Sequence, residues 1–262
     1  MRDLQGLFVP IPTPFTDDGT ALSEIRLARL VEFYRNEGAL GFVVGTEAGE
    51  YTSLSLAERK QLLEWVVRES KGLPVLAHVT AMTTAAATDL CQHAERHGAR
   101  GAILAPPPLD TFRAHEIASY VHGVQRYGNQ TTIFVEGYGP SKETYAELLP
   151  LLKDSIRAGW VEKGPIAELR TRRRICSAEM LAHEIVISPL VILGNHRLGR
   201  AFREKPEELK AITEVFKEGG VVRAAKSALT TLGVDIGPAR APMGGLAEPL
   251  EERLTSTLAA LH

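Results

Sequence analysis

The stretch SEIRLARLVEFYRNEGALGFVVGTEAGE, from Ser23 to Glu50, contains one complete helix–strand unit, from which the fold class can be inferred. Ser23 can cap the start of a helix and Gly38 can close its C-terminus. The run LGFVV (residues 40–44) is continuously apolar and does not alternate, which is typical of a strand in a parallel sheet covered on both faces. A turn bracketed by glycines and carrying two glutamates follows the strand.

The same alternation continues along the chain. Ser55 stands three residues before Glu58, which is the spacing of a capping box. Strands are predicted at 7–11, 41–45, 74–79, 101–105, 131–136, 158–163 and 185–193, and helices at 23–38, 55–72, 83–99, 141–154 and near 203–217.

These units recur without a linker rich in glycine, proline or serine, so we expect a single structural domain. A doubly wound sheet is an alternative, but no GxGxxG follows the first strand. The steady repetition favours an α/β fold of the (βα)8 TIM-barrel class. Residues 1–200 would form the barrel and residues 201–262 a C-terminal helical region packed on it.

Composition excludes several classes of function. The chain is 44% hydrophobic with a formal net charge of -2, which argues against nucleic acid or an anionic membrane as partner. Cys91 and Cys176 are far apart and lack a metal-ligand pattern, as in a protein of a reducing compartment. We find no signal peptide and no apolar stretch of the ~20 residues that span a bilayer. A cytoplasmic protein is therefore expected.

In a (βα)8 barrel the active site lies at the carboxyl ends of the strands. The turn GTEAGE (residues 45–50) follows the second strand, and its backbone N–H groups could hold a carboxylate. His78 near the end of the third strand and Glu136 at the end of the fifth are candidate substrate-binding residues. An alternative is a divalent metal site of a metal-dependent aldolase or isomerase, built from the polar residues at the strand ends: Glu47, Glu50, His78, Glu136, Asn195 and His196. No HxH or HExxH spacing supports that alternative, so we expect no metal.

Several segments resemble the dihydrodipicolinate synthase and N-acetylneuraminate lyase family. They are VPIPTPFTDDGTALSEIRLARLVEFYRNEGALGFVVGTEAGEYTSLSLAER (9–59), GLPVLAHVTAMTT (72–84), HGARGAILAPPP (97–108) and AAKSALTTLGVDIGPARAPM (224–243). The resemblance implies a barrel with a C-terminal helical extension, assembled as a homo-oligomer, a dimer or a tetramer. It also implies a Schiff-base lyase or aldolase that joins pyruvate to an aldehyde or releases pyruvate from a 2-keto acid. Its partners would be a small keto acid and an aldehyde, with no cofactor beyond the covalent lysine imine.

The resemblance places the imine-forming lysine at Lys163, in GWVEKGPIAEL (159–169). An amine attacks a ketone only when it is neutral, so burial in the barrel has to lower the pKa of this lysine. A slip of one residue along the strand would exchange Lys163 and Glu162 between the two faces.

The chain also departs from the family. Aligned through Gly49 and Glu50, the two threonines of the family loop become Glu47 and Ala48, and Glu47 would move the proton instead. We assign Ala48, Gly49 and Glu50 to substrate binding. Family tyrosines are replaced by Pro107, Pro108 and Val135, the family arginine of the following loop is missing, and Tyr138 is a candidate substitute for the relay tyrosine. A catalytically impaired paralogue that binds a keto acid is therefore a further alternative.

The last barrel units are shortened. Between Lys163 and Ala224 the sequence has room for one clear strand, at 185–193, where a full barrel needs two more strand–helix units.

Overall fold

The computed structural model of the protein describes residues 6–107, 112–127, 133–136, 147–148, 150–152, 159–163, 184–187 and 193–261. The chain divides into two compact units. One unit consists of Met1–Gly6 and Pro74–Ile187, and the other of Leu7–Leu73 and Ser188–His262.

In chain order the elements are β1 (Gly6–Leu7), β2 (Val9–Pro10), α1 (Glu24–Asn36), β3 (Phe42–Val44), α2 (Leu56–Glu69), β4 (Val75–His78), α3 (Thr84–Arg96), β5 (Gly101–Leu104), α4 (Ala114–Tyr127), β6 (Ile133–Glu136), β7 (Gly159–Lys163), β8 (Glu184–Ile187), α5 (Asn195–Glu204), α6 (Pro206–Gly219), α7 (Val221–Thr231) and α8 (Glu248–Ala259). Two single 3₁₀ turns, Glu47–Gly49 and Tyr51–Ser53, lie between β3 and α2.

Helix α1 shows how the quoted sequence specifies its local structure. The Ser23 hydroxyl accepts a hydrogen bond from the Arg26 N–H at 3.4 Å. Gly38 follows the end of the helix with a φ of 77°, a backbone conformation that glycine adopts at little energetic cost. Side chains spaced three or four residues apart are buried on one face: Leu27, Leu30, Val31 and Tyr34. The predicted cap, terminus and apolar face are confirmed.

Helix α2 begins with the predicted capping box. The Ser55 hydroxyl accepts from the Glu58 N–H at 3.2 Å, and the Glu58 carboxylate accepts from the Ser55 N–H at 2.9 Å. In the same unit β2 and β3 pair in parallel, with Val9 opposite Phe42. Helix α2 packs against α1 and β3, so the first strand–helix units have the predicted order.

The C-terminal helices belong to this same unit. Helix α6 packs against α5, α7 and α8, and α7 also packs against the 3₁₀ turn Glu47–Gly49. Helix α7 is buried along most of its length, including Lys226 and Ser227. The C-terminal part of the chain thus supports the turn that follows β3.

The other unit is built on a continuous parallel ladder in the strand order β8-β7-β6-β5-β4. Its register places His78 opposite Ile103, Leu104 opposite Val135, and Glu136 opposite Val161. Helix α3 packs against α4 and β5. Because all pairs are parallel, the carboxyl ends of these strands lie at one edge of the ladder.

The predicted strands are confirmed. Strands β3, β4 and β5, whose two ends are described, are one or two residues shorter than predicted, the strand predicted at 7–11 is divided into β1 and β2, and β8 begins one residue before its predicted start. Beyond Lys163 the described residues contain one strand, β8, while residues 164–183 and 188–192 lie outside the described part, so the shortening of the last barrel units stays a prediction. The helix predicted at 141–154 is described only at 147–148 and 150–152, which are helical. The boundary predicted at residue 200, between the barrel and the C-terminal helical region, stays a prediction. None of the described helices has both the length and the apolar content needed to cross a membrane.

Candidate active site

The turn after β3 is held in a tight conformation that requires its glycines. Gly45 has φ of 79°, and a Cβ on Gly49 would lie 2.8 Å from the Ile11 carbonyl oxygen. The Thr13 hydroxyl donates to the Gly49 carbonyl at 2.6 Å. Glu50 then adopts a left-handed conformation with φ of 55°, which is uncommon outside glycine, asparagine and aspartate. The turn is therefore pinned to the segment that follows β2.

Two backbone donors of this turn are used within the turn itself. The Gly49 N–H donates to the Thr46 carbonyl and the Glu50 N–H to the Glu47 carbonyl, both at 3.0 Å. These two N–H groups, predicted to hold an anion, are thus used inside the turn. Among the hydrogen bonds of the described residues, the Ala48 N–H has no such internal acceptor.

The two glutamates of the turn have different surroundings. Glu47 is exposed, whereas Glu50 is only 4% exposed. The Glu50 carboxylate lies 3.1 Å from the Lys226 ammonium and accepts from the Arg240 backbone N–H at 2.8 Å. Glu50 is therefore paired with groups of the protein.

Lys226 is a buried lysine whose ammonium is held by two carbonyl oxygens and paired with the Glu50 carboxylate. Besides Glu50, its ammonium donates to the Thr13 carbonyl at 2.9 Å and the Pro238 carbonyl at 2.7 Å, and it lies 4.7 Å from the centre of the Phe15 ring. Burial lowers the pKa of Lys226, and the attraction of Glu50 offsets part of this shift.

Arg240 ties the C-terminal segment to the start of α2. Its guanidinium contacts the Glu58 carboxylate through two nitrogens, at 2.7 and 3.0 Å, and lies 4.5 Å from the Phe15 ring centre. The pair holds the pKa of Glu58 below its usual value, mainly through the hydrogen bond from Arg240. Further donors of Arg240 reach the Ser53 and Thr20 carbonyls.

Sequence reasoning assigned no role to Lys226 or Arg240, although both lie in a segment that carries the family resemblance. A usable signal was present in AAKSAL (224–229), where one lysine interrupts an apolar run. Lysine is almost never fully buried unless it is paired, so this pattern points to a buried partner. The sequence does not say which carboxylate that partner is.

The second cluster lies in the ladder unit, at the ends of β4 and β5. The Thr80 hydroxyl lies 3.1 Å from His78 Nε2 and accepts from the Ala105 N–H at 2.8 Å. Both side chains are buried, Thr80 completely and His78 to 6% exposure. One residue further, the Tyr120 hydroxyl bonds both the N–H and the carbonyl of Ala81, at 3.0 and 2.9 Å.

Two predicted site residues are the last residues of neighbouring strands. Glu136 ends β6 and Lys163 ends β7, where Lys163 is opposite Ile187 of β8. In the register Glu136 is opposite Val161, so Lys163 occupies a position two residues further along the same face and Glu162 a position on the opposite face. Tyr138, the predicted relay residue, lies outside the described residues.

The structure thus positions the predicted residues in two groups. Glu47, Ala48, Gly49 and Glu50 form the turn after β3 in one unit, and His78, Glu136 and Lys163 lie at the carboxyl ends of β4, β6 and β7 in the other. Their roles in catalysis and substrate binding stay predictions.

Comparison with known proteins first defines the fold. A putative dihydrodipicolinate synthetase from Pseudomonas aeruginosa is similar with a TM-score of 0.80 over 99% of this chain and 100% of that one, at 18% identity. An N-acetylneuraminate lyase from Proteus mirabilis is similar with a TM-score of 0.83 over 100% and 99%, also at 18% identity. The protein is therefore an α/β protein of the (βα)8-barrel class, as the sequence predicts.

The sequence comparison then gives the family. Residues 3–135 match the sequence model of the dihydrodipicolinate synthetase family, and the chain belongs to this family. N-acetylneuraminate lyases of Escherichia fergusonii and Escherichia coli are 40% identical over 97 residues, which is 37% of this chain. The matched segment spans 32% of the length of these relatives.

Proposed function

We propose that this protein is a class I lyase or aldolase that joins pyruvate to an aldehyde, or releases pyruvate from a 2-keto acid, through a lysine imine. The observation that carries the proposal is the position of Lys163 as the last residue of β7 in a chain of this family. In barrels of this class the carboxyl ends of the strands supply the catalytic groups. No cofactor is needed, because the lysine itself activates the keto group.

The chemistry explains why a lysine is required at that position. Its neutral amine adds to the carbonyl carbon of the keto acid, loss of water leaves an imine, and the imine nitrogen takes up a proton from a general acid. When a proton leaves the neighbouring carbon, the bonding electron pair forms the enamine double bond and neutralises the imine nitrogen. The enamine carbon then attacks an aldehyde, and cleavage is the same sequence in reverse.

The turn after β3 is proposed to hold the keto-acid carboxylate. The Ala48 N–H, for which no acceptor inside the turn is found among the described residues, is the donor proposed for it, while Gly49 and Glu50 keep the turn in shape through the Thr13 and Lys226 contacts. Glu47 is exposed and is proposed to exchange protons at the site, with Tyr138 as its partner from the loop after β6.

Reduction of the imine tests the proposal directly. Borohydride added with pyruvate should attach one reduced pyruvate to the peptide that contains Lys163. The variant Lys163→Arg should give no adduct, whereas Lys210→Arg, on an exposed position of α6, should be labelled like the wild type. An adduct on another lysine, or none in the wild-type protein, would overturn the assignment.

A second candidate is a paralogue that binds a keto acid without turnover. The residues that favour it are Glu47, Ala48, Pro107 and Pro108, which stand where the family has threonines and tyrosines. Stabilisation by pyruvate against thermal unfolding, without an adduct, would support this candidate. A metal-dependent aldolase has weaker support, because Glu50, one of the candidate metal ligands, is paired with Lys226. If the protein were such an enzyme, a chelator would abolish its activity.

The same proposal covers the ligands, the oligomeric state and the localisation of the protein. A small keto acid and an aldehyde are its ligands, and we infer a homo-oligomer, a dimer or a tetramer, in the cytoplasm. Light scattering of the purified protein during gel filtration would give the subunit number, and a monomer at working concentration would contradict the assembly.

A further inference from the structure

The guanidinium of Arg240 uses every one of its N–H donors within a single unit of the protein. Two donors go to the Glu58 carboxylate, at 2.7 and 3.0 Å. The other three go to the carbonyl oxygens of Thr20, Ser53 and Gly19, at 2.8, 3.1 and 3.4 Å. Because the donors of an arginine point out from a rigid plane in fixed directions, these bonds fix Arg240 relative to three segments. The segments are the one after β2, the one after β3 and the start of α2.

The backbone of Arg240 holds the last residue of the turn after β3. Its N–H donates to the Glu50 carboxylate at 2.8 Å, while the Lys226 ammonium lies 3.1 Å from the same carboxylate. These contacts hold Glu50 at its φ of 55°, a conformation that costs energy for any residue with a side chain. The Glu50 carbonyl then accepts from the Ser53 N–H at 2.9 Å, and the Ser53 carbonyl is the one that the Arg240 guanidinium binds. Arg240 therefore contacts both Glu50 and Ser53, on either side of a single 3₁₀ turn.

These contacts bear on the donor that is proposed to hold the keto-acid carboxylate. The Ala48 N–H lies two residues before Glu50, in the same 3₁₀ turn as Gly49. Thr13 binds the Gly49 carbonyl at 2.6 Å, and Arg240 binds Glu50. Because a hydrogen bond weakens steeply as its angle departs from linearity, the direction of the Ala48 N–H has to be fixed by the residues around it.

We propose that Arg240 is a positioning residue for carboxylate recognition, and that it sets the direction of the Ala48 N–H through its bonds to Glu50 and Ser53. This inference rests on the proposed function. Arg240 does not touch the keto acid and takes no part in imine formation. Its loss should therefore weaken the recognition of a carboxylate and leave the reaction of the lysine with a ketone in place.

Two ketones of the same shape separate these effects. Pyruvate carries a carboxylate, and pyruvamide carries a neutral amide in its place. Each is incubated with the protein and cyanoborohydride, which reduces an imine in preference to a ketone, and mass spectrometry follows adduct formation against ketone concentration. The ratio of the two apparent second-order rate constants, pyruvate over pyruvamide, measures carboxylate recognition and is insensitive to a general loss of folded protein.

Arg240→Lys is the decisive variant, since it keeps the positive charge but places all its donors on one nitrogen. It should lower the ratio by about 10-fold, because a hydrogen bond to a charged group contributes at least this factor to affinity. The loss should appear as a higher pyruvate concentration for half-maximal trapping, with an unchanged rate at saturation. Glu58→Gln, which keeps an acceptor but removes the charge, should lower the ratio by a smaller factor.

The matched control is Arg253→Lys. Arg253 of α8 also pairs with a carboxylate, that of Glu214 on α6, so the same substitution removes a comparable contact elsewhere in the unit. It should keep the wild-type ratio. Circular dichroism at the assay temperature confirms that each variant is folded, and Glu58→Gln provides the test if Arg240→Lys is not.

The outcomes separate this inference from the proposed function. A wild-type ratio in folded Arg240→Lys, an equal loss for both ketones, or the same fall in Arg253→Lys would overturn the positioning role and leave the lysine imine standing. Equal trapping of pyruvate and pyruvamide by the wild-type protein would show that no carboxylate is recognised, and would also overturn it. Absence of any adduct in the wild-type protein would overturn the proposed function itself, and the positioning role with it.

Discussion

Replacing Lys226 by methionine tests whether the turn after β3 depends on a buried ion pair. Methionine keeps much of the length of lysine but has no charge and no donor. The substitution removes the ammonium 3.1 Å from Glu50 and the donors to the Thr13 and Pro238 carbonyls. Glu50 remains buried with one hydrogen bond, from the Arg240 N–H.

The loss of unfolding free energy in Lys226→Met follows from the Glu50 charge, which stays buried without its partner. Removal of one partner of a buried ion pair costs about 3–5 kcal/mol of unfolding free energy, because the other charge stays desolvated. For a chain of this length such a loss lowers Tm by roughly 6–20 °C. Glu50→Gln combined with Lys226→Met removes both charges, and the cost should then be smaller than the sum of the single costs by about 0.5–3 kcal/mol.

Urea unfolding followed by circular dichroism measures these free energies. Lys210→Met is the matched control, since Lys210 is an exposed residue of α6 and its loss should change stability by less than about 0.5 kcal/mol. If Lys226→Met cost less than about 1 kcal/mol, or if the two substitutions were additive, the pair would not hold the turn and the reasoning would be refuted.

Three other predictions concern the same unit. Gly49→Ala should destabilise the fold by about 1–3 kcal/mol, because its Cβ would meet the Ile11 carbonyl at 2.8 Å, and a Tm equal to that of the wild type would contradict this. Ser55→Ala should cost about 1 kcal/mol in urea unfolding through loss of the α2 capping box. The pKa of Lys226 is lowered from 10.5 by burial, so the unfolded state binds its proton more tightly than the folded state. Stability should therefore rise with pH between the lowered pKa and 10.5, and the difference between wild type and Lys226→Met should show this rise; a flat difference would contradict it.

Much of the fold follows from short-range signals. The Ser55–Glu58 spacing gave the start of α2, and Ser23 with Gly38 gave both ends of α1. Continuous apolar runs gave the strands, because a parallel sheet covered on both faces needs no alternation. The bounds of β3, β4 and β5 were predicted one or two residues too long, since apolar residues continue beyond the ends of these strands.

The long-range contacts of the site could not be predicted in the same way. Arg240 lies 190 residues from Glu50, and Lys226 lies 213 residues from Thr13. No local pattern relates such positions, and the choice of partner depends on how helix α7 packs against the turn. The sequence therefore indicated that the turn is important but treated Glu50 as a ligand-binding residue, without its partner Lys226.

The burial of these charges bears on what the turn can bind. A keto-acid carboxylate approaching the Ala48 N–H would be repelled by an uncompensated Glu50 a few residues away, since like charges at short range oppose each other strongly where water is excluded. Lys226 offsets that charge from inside the protein, and the Glu47 side chain is exposed to solvent, which screens its interactions. If the turn holds the keto-acid carboxylate as proposed, the ion pair removes a repulsion from its binding site, and Lys226→Met should weaken pyruvate binding as well as the fold.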